Sequence, residues 1–450
     1  MCPEPNDDPG AGERMYALVS ELFPICRSIT GDGTRESLRR LQCLVPLEMV
    51  EVPSGTKVFD WTVPREWNIR DAWIANARGE RVVDFRNSSL HVVNYSVPVR
   101  ARMTLAELRP HLHTIPDRPD WMPYRTSYYS ESWGFCLTQR TLDALVEGEY
   151  EVCIDSSLEP GHLTYGELVV RGESDEEVLV SCHCCHPSLA NDNLSGMAVA
   201  TELARYLAEH TEALRYSYRF LFIPGTIGSI TWLARNTEKA ARIKYGLVLS
   251  CVGDSGALTY KRSRRGDSLV DRAAKHVLLR TARSDRVRDF VPYGYDERQF
   301  CSPGFNLAVG CLTRTPNGEY TEYHTSADDL SFVSAAALAD SLAAAVRIIE
   351  VLEHDATYVN LNPWCEPQLG RRGLYRPTGG QSELPNYEMA LLWVLNFSDS
   401  AHSLLDIAER SGIEFRVVQK AAADLVKHGL LQRCQDATAP KNASEHSARR

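Results

Sequence analysis

Apolar residues recur at helical spacing at Met15, Leu18 and Leu22, and again at Leu38, Leu41 and Leu44. This periodicity predicts two helices over about residues 11–45, joined by the polar loop Arg27–Gly33. From about Val50 to Val146 the pattern changes. Short β-branched runs such as Arg81–Phe85 and Leu90–Tyr95 are separated by turn residues, and five tryptophans (61, 67, 73, 121 and 133) fall here. A small β-rich domain, inserted between the first helices and an α/β region, is the expectation. From Tyr150 to about Asp355 strand and helix patterns alternate. Strands are expected at Leu168–Val170, Val178–Val180, Phe220–Ile223 and Leu247–Leu249, and helices near 195–209, 229–238, 267–280 and 334–352. Alternation of this kind gives an α/β fold, a sheet with helices on both faces.

A third pattern starts after the Gly370–Gly380 turn. Asn386–Asn396, Ser403–Ser411 and Glu414–His428 read as helices, the last two stopped by Gly412 and Gly429, and Leu430–Gln432 reads as a strand. Three short helices and a β-wing resemble a winged helix-turn-helix. The expected organisation is N-terminal helices over 1–49, the β-rich insert over 50–146, the α/β domain over 147–360, the winged helix over 380–435 and a polar, disordered tail over 436–450.

Composition narrows the classes of function. A hydrophobic content of 44% and a charged content of 24% are those of a globular protein, and a formal charge of −10 opposes general nucleic-acid affinity. The expected recognition helix offers Arg416, Lys420 and Lys427 but also Glu414 and Asp424, so docking or homo-oligomer formation is expected of it in preference to reading DNA. No apolar run reaches the roughly 18 residues of a membrane span. The acidic start Met1–Asp8 lacks an apolar signal core, which makes a cytoplasmic location the expectation. Thirteen cysteines then read as free thiols or metal ligands, not as a disulfide framework.

The chemistry concentrates where one strand ends. Val178–Val180 runs into Ser181-Cys-His-Cys-Cys-His-Pro-Ser-Leu-Ala-Asn-Asp-Asn-Leu-Ser-Gly196, and an Ala-rich helix comes after it. In open α/β sheets, ligands bind at strand ends. Two imidazoles and a carboxylate, His183, His186 and Asp192, supply neutral nitrogen and anionic oxygen for a divalent transition metal. Cys182 reads as a small buried residue, and Cys185 stays open as an alternative ligand. Asn193 and Ser195 are available to cap the helix. Arg27 and Arg35, in and beside the first loop, offer planar guanidinium groups to a substrate carboxylate.

The phrase Ala190-Asn-Asp-Asn-Leu-Ser-Gly196 resembles the bridging-aspartate motif of zinc aminopeptidases of the di-zinc exopeptidase fold. Glu322-Tyr-His-Thr-Ser-Ala-Asp-Asp329 resembles the closing histidine of that fold. Over most of the chain, to about Gln432, the sequence is similar to bacterial proteins with an aminopeptidase-like domain, a group often linked to polysaccharide or secondary-metabolite pathways. Its marks are Ile25–Gly33, Tyr128–Cys136, Cys185–Ala190 and Pro224–Ser229.

The resemblance implies a zinc-exopeptidase-like mixed sheet. His183 would be the strand-end ligand, Asp192 the bridging carboxylate, His324 the closing ligand and Asp254 a carboxylate of a second site. One or two Zn²⁺ ions would serve a hydrolase of a peptide or other amide bond in a small-molecule or peptide substrate. This chain departs from the pattern in three ways. Cys185 replaces an expected aspartate, His186 is an additional imidazole that stands as an alternative ligand to His183, and the paired glutamates expected near Pro224-Gly225-Thr226 are absent. A proton acceptor must then come from elsewhere. Glu322 is one candidate, since on a strand it would face the same way as His324. Glu297, within Tyr295–Gln299, is the other. The alternative from another class is a non-catalytic metal- or metabolite-binding scaffold.

Overall fold

All seven residues of the strand Glu177–His183 are buried, and its apolar run Val178–Val180 is that of a strand covered on both faces. A computed structural model describes residues 10–210, 214–281, 286–374 and 386–434. In it this strand lies inside an eight-stranded sheet, in the order Glu48–Pro53, His162–Val170, Ser217–Ile223, Glu177–His183, Ile243–Leu249, Val309–Thr313, Thr259–Lys261 and Val287–Arg288. The third to sixth strands of this order run parallel. Antiparallel partners flank them on either side. The protein therefore has a mixed α/β fold, a mixed sheet with helices on both faces.

Topology decides where the site falls. From Glu177–His183 the chain passes through helix Gly196–Glu209 to the neighbouring strand on one side. It then returns to Ile243–Leu249 on the other side. Connections diverge at the carboxyl end of Glu177–His183, which opens a crevice at His183.

The N-terminal helices form at Ala11–Leu22 and Asp32–Gln42, as the spacing predicts. The insert is a four-stranded antiparallel sheet in the order Arg81–Asp84, Glu66–Ala75, Glu149–Glu159 and Val99–Thr104. It has its own core, which includes Ile74, Val83, Leu108, Phe135 and Val152. The expected limits at 50 and 146 are corrected. Glu48–Pro53 is the edge of the large sheet, and Glu149–Glu159 is an inner strand of the small one. Glu149–Glu159 alternates buried and half-buried positions, the mark of a strand with one wet face. Leu90–Tyr95 is not a strand either. The Ser88 hydroxyl accepts the Leu90 N–H at 3.2 Å and turns the chain into a single 3₁₀ turn, Ser89–His91.

Contacts divide the chain into two compact units, Met1–Ile348 and Ile349–Arg450. The second contains helices Tyr387–Phe397, Leu404–Ser411 and Phe415–Lys427. Its three-stranded sheet has the order Asp399–Ser403, Thr357–Asn360, Leu431–Arg433. It is a winged helix whose first strand precedes the expected start at 380. Ser403 and Asp406 form a capping box, and Gly412 ends that helix at φ 68°. Arg416 is paired with Glu350, and Lys420 with Asp424. The tail expected over 436–450 lies outside the described residues. Among the described residues no helix is long and apolar enough to cross a membrane.

One buried ion cluster sits in the large sheet. Arg219 is 4% exposed, and its Nε and Nη2 donate to Glu177 at 2.6 and 2.7 Å while Nη1 donates to Glu167. Removing one member of such a group leaves buried charge without compensation. Arg219→Met is expected to cost about 3–5 kcal/mol, read as the loss of unfolding free energy in urea. A change under about 1 kcal/mol would show that the cluster is solvated.

Candidate metal centre

The carboxyl end of strand Glu177–His183 delivers His183, and the turn after it delivers His186. The segment Ala190–Ser195 then brings Asp192 back beneath them before helix Gly196–Glu209 begins. One ligand-capable atom from each of His183, His186 and Asp192 lies within 4.8 Å of the others, and all three residues are buried. His183 Nε2 is 2.7 Å from Asp192 Oδ1. His324 Nε2 approaches Asp192 Oδ2 at 3.0 Å, without the alignment of a hydrogen bond. The structure thus brings together His183, His186, Asp192 and His324.

Asp254 is not brought to this group. Its two oxygens accept from Asn191 Nδ2 (3.0 Å), Gly256 N (2.6 Å), Thr315 N (3.2 Å) and Thr315 Oγ1 (2.8 Å). It braces loops behind the site.

The loop is held from outside. The Asp328 carboxylate accepts Asn191 N at 2.6 Å and Asp192 N at 3.0 Å. Asn193 Oδ1 accepts Gly196 N at 3.2 Å and Cys251 N at 3.1 Å. Asn193 therefore caps the helix as expected. Ser195 does not, because its hydroxyl donates to Asn191 O and accepts from Val252 N.

Aromatic rings fix the imidazoles. Tyr295 stacks on His183 with centroids 3.6 Å apart, and Tyr323 on His324 at 4.0 Å. Tyr124 stands edge-on to both His186 and His324 at 5.1 Å. Tyr124 comes from the insert, and its N–H donates to the His324 carbonyl at 2.8 Å. Periodicity gives no sign of these rings. For Tyr295 the one available signal is its place beside Glu297 in the segment Tyr295–Gln299.

Electrostatics suit a metal. Burial alone would raise the Asp192 carboxyl, but the imidazoles of His186, His183 and His324 around it hold it well below the usual carboxylate range. Burial also pushes His186 well below the usual imidazole value, so its ring is neutral. Three buried atoms of these four residues lack a hydrogen-bond partner: His186 Nδ1, Asp192 Oδ2 and His324 Nε2. A buried polar atom left unpaired costs about 1–3 kcal/mol. Three such atoms, two imidazole nitrogens and one anionic oxygen, form a donor set that a divalent zinc would satisfy. The residues fit the ion.

No cysteine belongs to the compact group of His183, His186 and Asp192. Burial pushes Cys185 up to about 12, and Cys182 and Cys184 well above the usual thiol value. All twelve described cysteines are free of disulfides.

Neither glutamate expected as proton acceptor is brought to the centre. Glu322 lies in a turn, not a strand, so the alternation that would align it with His324 does not apply. Its Oε2 accepts from Thr321 Oγ1 at 3.0 Å. Glu297 is fully buried, pairs with Lys261 and accepts the Tyr295 N–H at 3.1 and 3.2 Å. It lines a 390 Å³ cavity with Tyr293, Tyr295, Thr313 and Asn317. Its neighbour Asp296, which no sequence signal distinguishes, has a carboxyl raised by burial to about 6 despite the nearby His183 and a bond from Ser229 Oγ.

The two arginines expected to bind substrate hold the structure together instead. Arg27 is 1% exposed, and its Nε donates to the His186 carbonyl at 2.9 Å while Nη1 donates to Leu22 O at 2.6 Å. It ties the first loop to the histidine turn. Arg35 pairs with Asp32 and with Glu66.

Burial would raise the Glu66 carboxyl, but Arg35, the His162 N–H and Asn68 bring it down to about 2. A carboxyl lowered on folding contributes stability above its unfolded value of 4.5, and that contribution is lost as pH falls through about 2. Arg35→Leu is expected to lower the Tm at pH 7, with the gap from the parent narrowing as pH falls below 4.5. A gap constant with pH, in thermal unfolding across that range, would overturn the assignment.

The family described as a domain of unknown function (DUF4910) matches residues 16–355, and a winged helix-turn-helix family matches residues 356–433. A Clostridium acetobutylicum protein, provisionally named a polysaccharide biosynthesis protein with aminopeptidase-like domain, is 54% identical over 421 residues, 94% of this chain and 96% of its own. A crystal structure of a protein from Clostridium acetobutylicum, provisionally named a peptidase, has a TM-score of 0.89 at 52% identity. It covers 95% of this chain and 98% of its own. A zinc aminopeptidase from Bacillus subtilis shares the fold at a TM-score of 0.53 and 15% identity, covering 75% of this chain and 94% of its own.

Proposed function

The chain belongs to the DUF4910 family, and from this premise we propose that it is a zinc-dependent hydrolase of a peptide or other amide bond in a small substrate. One observation carries the reading: three residues grouped at the end of a central parallel strand, His186, Asp192 and His324, each carry a buried, unpartnered metal-type donor atom. The aminopeptidase-like fold agrees with it. The relative's name suggests a place in polysaccharide biosynthesis.

Asp192, with histidines from the 183–186 turn and His324, would hold the ion. When bound, zinc supplies Lewis-acid polarisation of a scissile carbonyl. The chain's own residues do the rest. Asp328 keeps Asp192 in place through two backbone N–H groups. Tyr124, Tyr295 and Tyr323 set the imidazole planes. The 390 Å³ cavity shares Tyr295 with the centre and is of a size to seat a small substrate.

The rival, a binding scaffold without turnover, draws on one fact. Glu297 and Glu322 are both engaged away from the centre. Metal analysis of the purified chain, followed by assay of aminoacyl amides and small N-acyl conjugates, separates the two. Zinc with turnover supports the hydrolase, and zinc without turnover on any of these supports the scaffold. Asp192→Ala is expected to strip most of the metal, since none of the other grouped residues is a carboxylate. Undiminished occupancy in that variant would sink the assignment of the metal to this centre.

A further inference from the structure

We propose that the metal is one ion held by His186, Asp192 and His324, and that His183 is a positioning residue that binds Asp192 instead of the metal. The inference rests on the metal reading above and divides its ligands.

Asn193 decides where the His183 proton sits. Two backbone N–H groups, of Gly196 and Cys251, donate to its Oδ1 at 3.2 and 3.1 Å. That fixes the carboxamide, because the reverse orientation would set N–H against N–H twice. Its Nδ2 therefore faces Leu249 O at 3.0 Å and, with its other hydrogen, His183 Nδ1 at 3.3 Å and the His183 carbonyl at 3.4 Å. An NH₂ group only donates, so His183 Nδ1 must present its lone pair. A neutral imidazole carries one N–H, and here it is on Nε2. That nitrogen is 2.7 Å from Asp192 Oδ1, a hydrogen bond with the proton between them. A nitrogen that carries a proton has no lone pair for a metal.

The remaining atoms complete the assignment. His183 satisfies Oδ1 of Asp192 and leaves Oδ2 without a hydrogen-bond partner. His324 Nε2, 3.0 Å from that oxygen, is likewise unpartnered, as is His186 Nδ1. The three unpaired atoms belong to three different residues, and none is on His183. Three protein ligands with a position left open is the arrangement of catalytic zinc sites. A second ion on the Oδ1 side would need to displace the His183 proton. It would also lack Asp254, whose oxygens take four donors.

The test is metal affinity and stoichiometry of the full chain, by zinc titration against a chelator and by the visible spectrum of the Co²⁺-substituted protein. The parent is expected to take one ion. His186→Ala should abolish stoichiometric retention. His183→Ala should weaken affinity by roughly 10–100-fold, the usual effect of losing an outer partner of a ligand, and leave the Co²⁺ band position unchanged. His183→Gln keeps an amide N–H to meet Asp192 and should recover much of that loss. It also serves as the control should the alanine variant fold poorly. Two ions in the parent, or complete loss of metal in both His183 variants with a retained fold, would overturn the assignment while leaving the metal reading intact. A parent that takes no ion would overturn both.

Discussion

Asp192 is an anionic carboxylate shut off from water, and the architecture around the crevice serves to make that tolerable. Burying such a charge costs several kcal/mol unless it is paired and hydrogen-bonded. Here the compensation comes from four parts of the chain. His183 donates to one oxygen, and the His186 and His324 rings stand beside the group. Asp328 receives the backbone N–H groups of residues 191 and 192, so the loop cannot withdraw the carboxylate. Two acids thus lie close together inside the protein, and burial pushes Asp328 well up as Asp192 is held well down. A pair driven apart in this way divides the labour, one side chain facing imidazoles and the other clasping backbone.

The helix and strand alternation is plain in the sequence because it depends on local periodicity. His183, His186 and Asp192 are plain for the same reason, since ten residues span them. His324 is reached through family resemblance, not through spacing. What local pattern cannot supply is long-range: the Tyr124 ring brought in from the insert, Asp328 reaching back 137 positions to Asn191 N, and the Asn193 carboxamide that fixes the proton of His183. Arg27 and Arg35 show the converse error. A guanidinium near a glycine-rich loop looks available, yet Arg35 finds its carboxylates at positions 32 and 66, and Arg27 finds carbonyls. Glu322 is misplaced by pattern alone because a turn at 321–324 stands where a strand is expected.

The insert's limits fail for a related reason. A shift in composition marks where residue types change, whereas a domain edge tracks strand pairing. Glu149–Glu159 reads as part of the α/β region by position, yet it pairs along two strands of the smaller sheet. The winged helix is misjudged in the same way at Thr357–Asn360, four half-buried residues with no strong pattern of their own.

The bond from Tyr124 N to the His324 carbonyl joins main chain to main chain, and Met122 and Ser326 continue the pairing with a backbone bond of 2.8 Å. Side chains on the insert can drift over generations without touching this link, because the insert enters it through main-chain atoms alone. Lineages are therefore free to rewrite the insert's outward face, and with it what the protein meets, while the segment near residue 124 stays welded to the histidine that closes the centre. Recombination that exchanged the whole insert between relatives would have to carry this short seam in matching length, so variation here should accumulate by substitution more readily than by cassette exchange.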